Sequence, residues 1–459
     1  MKSMTKRKTK KNALKSHEDV VKKQNEWCFL PRKQKISYDG LVFLEIFHLE
    51  DFEPLRAGLN KIYENLHPVD KDRLRYNDLI IDSPNRLFQK NHMPLPYINH
   101  IKLKGKILPS GVYFDLGDYI EHICLILHKV SPSMIVLHVH VYLNDSLSSK
   151  INDVIYTYHE EEREKIESEG GNYESIKYPE QIKEREISKI RKTIKKEAID
   201  FLSSFFKGYF LSYFKTEIVP SIGLFSLKYP SDNKKLLEWG RKNSGFLRCL
   251  NTHLIEYQGA KYNEYVLLVE NKIDSYYDNL IILGNKNLAK TNGYGTSDSA
   301  IKYHLLNCSF ELFAIYRWLE VQQKTVGELN KTISKEIKNL EKSKLKELLS
   351  NRKKTSNKVF QFERFKVEFE KYWSSGNIFP FVNFHDNTKF FDNVKKSIIQ
   401  TTKDIDKYIS MYNKHSDVIL NMTNIEFSNK IQKKIHLLTW IMIIFMIIQI
   451  IIAVCFFNF

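Results

Sequence analysis

The chain has 459 residues, 42% of them hydrophobic and 13% aromatic, and 71 Lys and Arg against 54 Asp and Glu give it a net charge of +17. This apolar content excludes a disordered chain and is enough to bury a core as one or two domains, while the charge favours contact with polyanions without naming one. Five cysteines (Cys28, Cys124, Cys249, Cys308 and Cys455) lie far apart with no Cys-x-x-Cys or Cys/His pairing, which excludes a disulfide framework or zinc knuckle and fits a reducing, cytosolic setting.

Residues 1–30 read as a basic, disordered arm. Seven Lys and Arg fall between Lys2 and Lys15 and no apolar stretch follows them, so this is not a secretory leader. Such an arm suits anionic lipid on a cytoplasmic leaflet, at about 1 kcal/mol per basic residue near the surface, and nucleic acid is the other polyanion it suits.

Residues 31–300 read as an α/β (or α+β) globular cytosolic domain. Ile36–His48 is strand-like and a helix pattern runs from Asp51 to Leu66. Strands are expected over Gly111–Leu116, Ile120–Lys129 and Met134–Asn144, with Ser131-Pro132 marking a hairpin between the last two. Lys183–Lys196, in the charged stretch Glu160–Ala198, interleaves Lys with Glu and reads as a solvated basic helix. Phe201–Phe214 is too short to cross a bilayer and reads as a core or interfacial helix. Strand character returns at Tyr265–Val269 and Leu280–Leu283, and Ser297 or Asp298 then caps a further helix.

Residues 301–436 read as a helical, coiled-coil stalk. Leu312, Ile315, Leu319, Gln322 and Val326 begin one three-four seam, and Val394, Ile398, Thr401, Ile405 and Tyr412 lie on a second. Between them a short helix sets Phe362, Phe365, Phe369 and Trp373 on one face. The seams pair as an antiparallel hairpin or across copies in a homo-oligomer, and polar Gln322, Thr401 and His415 favour the hairpin. The second seam runs without Pro or Gly into residues 437–457, a transmembrane helix. Fourteen positions from Leu437 to Phe457 are Leu, Ile, Val or Phe, each worth roughly −0.3 to −0.6 kcal/mol on insertion, which outweighs Thr439 and Gln449. Lys430, Lys433 and Lys434 flank the entry to the bilayer and Trp440 suits its interface, so the preceding residues are expected in the cytosol. Abundant Lys, Asn, Ile and Tyr suggest a bacterial plasma membrane as the location.

Glu270 and Lys272, two apart at the end of the strand VLLVENKI, share a strand face, where a carboxylate can hold Mg²⁺ while an ammonium positions water. The string VENKI resembles the Glu-x-Lys element of the PD-(D/E)xK nucleases. That resemblance implies Glu270 and Lys272 as catalytic residues, Mg²⁺ as cofactor and nucleic acid as partner. The acidic metal ligand expected upstream is an Asp in that family, and Arg248–Ala260 offers only Glu256, leaving Glu256 and Glu270 as the metal pair. His138 and His140 share another strand face, with His122 and His128 on the preceding segment and Asp115 and Asp118 as the nearest acids. This ligand set is incomplete and reads as buried or solvated histidines. The whole reads as a single-pass, C-terminally anchored membrane protein that binds or senses through its cytosolic domain without catalysis and without a cofactor; the membrane-tethered Mg²⁺ nuclease is the alternative.

Overall fold

The β-branched and aromatic runs between Ile36 and Asn285 supply one large mixed sheet. In the computed structural model the described residues are 17–31, 34–48, 52–66, 92–95, 97–103, 111–168, 171–213, 219–227, 239–240, 242–250, 254–259, 265–270, 280–291, 293, 297, 300–302, 311–338, 356, 359–370 and 389–457. The strands are β1 (Ile36–His48), β2 (His92–Pro94), β3 (Tyr97–His100), β4 (Gly111–Phe114), β5 (Ile120–Ser131), β6 (Met134–Leu143), β7 (Glu162–Ser168), β8 (Gly171–Lys177), β9 (Ser221–Leu227), β10 (Leu254–Gly259), β11 (Tyr265–Glu270) and β12 (Leu280–Asn285). The helices are α1 (Phe52–Glu64), α2 (Asp145–Tyr156), α3 (Pro179–Ser203), α4 (Tyr209–Tyr213), α5 (Ser244–Leu250), α6 (Lys286–Thr291), α7 (Glu311–Lys338) and α8 (Lys389–Phe457).

The large sheet runs β10-β11-β12-β9-β1-β6-β5-β3-β4, with β2 also paired to β5. Its ladders are antiparallel except β12 with β9 and β3 with β4. The central strands β1, β5 and β6 are buried along almost their whole length, which is why they read as continuous apolar runs rather than alternating ones. The β5–β6 hairpin closes at Ser131 opposite Met134, where Ser131-Pro132 punctuates the sequence. Beyond the reach of β6, Asn152 and Ser148 of α2 take over the hydrogen bonding of β1: the Ile36 and Tyr38 amides donate to Asn152 Oδ1 and Ser148 Oγ, each at 3.0 Å.

Two segments differ from expectation. The charged stretch after Glu160 first forms a separate two-stranded hairpin, β7–β8, before α3 begins. The basic helix α3 is not a solvated rod, because Lys183, Arg191 and Lys195 are buried with Ile187 and Ile194. Lys183 Nζ donates to the Ile155 carbonyl and Lys195 Nζ to the Val219 carbonyl, both at 2.6 Å. Long aliphatic stems let these side chains line an apolar face while the ammonium reaches a carbonyl. The aromatic run from Phe201 is divided between the end of α3 and α4, and buried Phe206 and Phe210 place it in the core.

The chain divides into two compact units, Met1–Trp318 with Val367–Ile398, and Leu319–Lys366 with Ile399–Phe459. Glu311–Trp318, in the segment read as stalk, belong to the first unit, where Leu312 to Tyr316 are buried all round. In the second unit the seam residues are covered within the chain: Val326, Ile405 and Tyr412 are buried, and Asn330 Nδ2 donates to the Tyr408 carbonyl at 2.7 Å. Helix α8 is 69 residues long, about 100 Å at 1.5 Å per residue, and carries the seam into the apolar terminus without a break. Its Asn424–Ile452 stretch is long and apolar enough to cross a membrane, and its most apolar window has no buried residue. Of the arm read over residues 1–30, residues 1–16 lie outside the described residues, as do Lys272 and Trp373, whereas 17–28 are helical with Val21, Asn25 and Cys28 buried rather than disordered.

Candidate functional site

The central hairpin gathers imidazoles on one face. Ile126 pairs with His138 and Cys124 with His140 across β5 and β6, so His128, two residues beyond Ile126, lies on the same face as His138 and His140. The His128 and His138 rings stack with centroids 4.0 Å apart, and His140 lies 6.1 Å from His138. Helix α7 supplies the carboxylate: Glu311, in its first turn, brings Oε1 within 2.8 Å of His128 Nδ1 and 3.6 Å of His138 Nε2. Two turns later Trp318 of α7 packs on His48 of β1, ring centroids 5.3 Å apart, which seats the helix on the same sheet.

The side chains of His128, His138, His140 and Glu311 are all buried. Burial, reinforced by the His128 and His140 rings, holds His138 well below the ordinary imidazole range, and burial, with His128 as a lesser cause, holds His140 at about 3. Both are therefore neutral at pH 7, the form in which an imidazole nitrogen has a lone pair to give. Neither ring nitrogen of His138 has a hydrogen-bond partner among the described residues, although the side chain is 1% exposed. Among the described residues, His128, His138 and Glu311 are the group of His, Cys, Asp and Glu donors close enough to hold one metal ion, with one ligand atom from each within 4.8 Å of the others. Cys124 lies on the same face but is not one of the donors that fall within 4.8 Å of one another, and burial pushes its thiol up to about 12.

Asp115 and Asp118, the acids nearest in sequence, are engaged elsewhere, Asp115 with His100 at 3.5 Å and Asp118 with Lys102 at 2.9 Å. The acid that does converge, Glu311, is remote in the chain. Its signal in the sequence is a carboxylate opening a helix whose next five residues (LFAIY) show no polar face.

A second buried polar cluster holds the other end of β1. Asp39 accepts from Lys286 Nζ of α6 at 2.9 Å, has Lys302 Nζ at 3.7 Å, and receives the Ser226 hydroxyl of β9. On α3, Ser188, Arg191, Lys192 and Lys195 line a small cavity with Tyr38 and Ser221.

The residues of the nuclease resemblance fall on the far edge of the sheet. Glu256 on β10 pairs with Val269, and Glu270 on β11 pairs with Leu254, across a register shift. Their strands are adjacent, and Lys272 is outside the described residues. Lys430, Lys433, Lys434 and Trp440 all lie exposed on α8.

Comparison with family models, with curated proteins and with solved structures found no match. The functional reading rests on the chain's own residues.

Proposed function

We propose that this chain is a single-pass membrane protein, anchored through the C-terminal part of α8, whose α/β unit works on the cytosolic side as a binding or sensing module rather than as an enzyme. One observation carries the reading. A helix that crosses from a buried seam into an apolar stretch with no buried residue from Leu437 to Ile452 has no soluble role for that surface: Leu437, Trp440, Phe445 and Ile450 are each more than half exposed. A core helix would be covered by its own chain, and water would meet this one on every side. The bilayer supplies the missing cover. Lys430, Lys433 and Lys434 at the entry support the cytosolic side for the preceding residues.

Membrane fractionation tests the anchor. The full chain is expected to stay with membranes through alkaline carbonate washing and to leave only with detergent, whereas Ile444→Lys with Ile448→Lys releases it. Recovery of the unaltered chain in the carbonate supernatant would overturn the reading. Mg²⁺-dependent cleavage of DNA or RNA by the purified protein, lost in Glu270→Ala, would show the nuclease instead of a binding module.

A further inference from the structure

We propose that His128, His138 and Glu311 form a binding site for one divalent first-row transition metal, with zinc as the ion whose chemistry the donors match. Two imidazole nitrogens and one carboxylate oxygen are a borderline-to-hard set, suited to zinc and its neighbours and unsuited to calcium or magnesium, which take oxygen ligands. The spacing agrees with one shared ion. Zinc bonds of about 2.0–2.2 Å at tetrahedral angles set ligand atoms about 3.4 Å apart, and the two measured separations to Glu311 Oε1, 2.8 and 3.6 Å, bracket that value.

A His–Glu ion pair accounts for the shorter contact and leaves His138 unexplained. His138 is 1% exposed, stacked on His128, and neither of its nitrogens has a hydrogen-bond partner among the described residues. A buried polar group left in that state is destabilising. An ion between His138 Nε2 and Glu311 Oε1 satisfies the nitrogen and neutralises the carboxylate together. Three protein donors leave a fourth position of a tetrahedral ion for water. The ligands come from β5, β6 and the first turn of α7, so the ion ties the helix to the sheet.

This deepens the binding reading by naming a ligand for the α/β unit. Fractionation tests the anchor and metal analysis tests the ligand, so each can fail alone. The untagged full chain in detergent micelles, loaded with Zn²⁺ and desalted, is expected to retain about one zinc per chain. X-ray absorption of that sample is expected to show nitrogen and oxygen neighbours at about 2.0–2.1 Å, imidazole scattering, and no sulfur at about 2.3 Å. Glu311→Gln, which keeps the packing, and His138→Phe are each expected to weaken zinc binding about 100-fold or more, since even outer-shell changes cost 10–100-fold. Failure of the unaltered protein to retain zinc, a sulfur-containing shell, or undiminished binding in both variants would overturn the site. If a variant does not fold, the absorption spectrum of the unaltered protein decides alone.

Discussion

Asp39 carries more of the fold than any single charge on the surface. It is 1% exposed, faces two buried lysines and takes a serine hydroxyl. Asp39→Asn removes the buried carboxylate that both ammonium groups face, and removing one partner of a buried ionic group costs about 3–5 kcal/mol. Urea unfolding of the variant is expected to show a loss of that size with an unchanged slope. His122 gives the protein a pH dependence of its own. It is buried against Tyr142, ring centroids 4.2 Å apart, and burial, with Lys302 adding to it, lowers it to about 4. The unfolded chain holds the same group near 6.5, so between pH 6.5 and 4 the unfolded state binds more protons and stability falls as pH falls. The shift corresponds to about 3 kcal/mol, present in full above pH 6.5 and lost below pH 4. His122→Phe, which keeps a ring over Tyr142, is expected to remove that part of the acid sensitivity in unfolding curves measured across this range. Neither residue was conspicuous in the sequence as a stability determinant. Asp39 sits between Tyr38 and Gly40 like a turn residue, and its partners lie on elements far along the chain.

At the scale of elements, α4 shows how a short helix can be held by one buried carboxylate. Glu45 of β1 accepts the Phe210 amide at 2.6 Å and the Leu211 amide at 2.9 Å, meeting the orphan donors at the helix start. Gly208 makes room for it: a Cβ there would lie 2.4 Å from Glu45 Cγ and 2.6 Å from its Oε1. Gly208→Ala is expected to destabilise the protein by about 1–3 kcal/mol, as overpacking of a filled site does, read as a lower denaturation midpoint. Helices and strands with strong local patterns were legible in the sequence: β1, the β5–β6 hairpin and the unbroken α8 all appear where their spacing places them. What the pattern hid was contact. The basic face of α3 is interleaved with Glu like a surface helix, yet Lys183 and Lys195 end on buried carbonyls. The β5 and β6 histidines were legible as one face, but Glu311 was not, since nothing in local spacing says which remote helix lies over a sheet.

At the scale of the whole molecule, an α/β unit built on one large sheet is accompanied by a helix of 69 residues whose Asn424–Ile452 stretch is long and apolar enough to cross a membrane. The membrane-facing end was the most legible part of the chain because hydrophobic length is a local property. The candidate metal site was the least legible part because it is assembled from three separate elements. The proposed anchor puts the α/β unit on the cytosolic side of the membrane. A pair of reporters fused after Phe459, one active only in the cytosol and one active only outside it, measures this directly. The account predicts activity from the non-cytosolic reporter alone, with the α/β unit protected from protease added outside intact cells. Activity from the cytosolic reporter alone would contradict it.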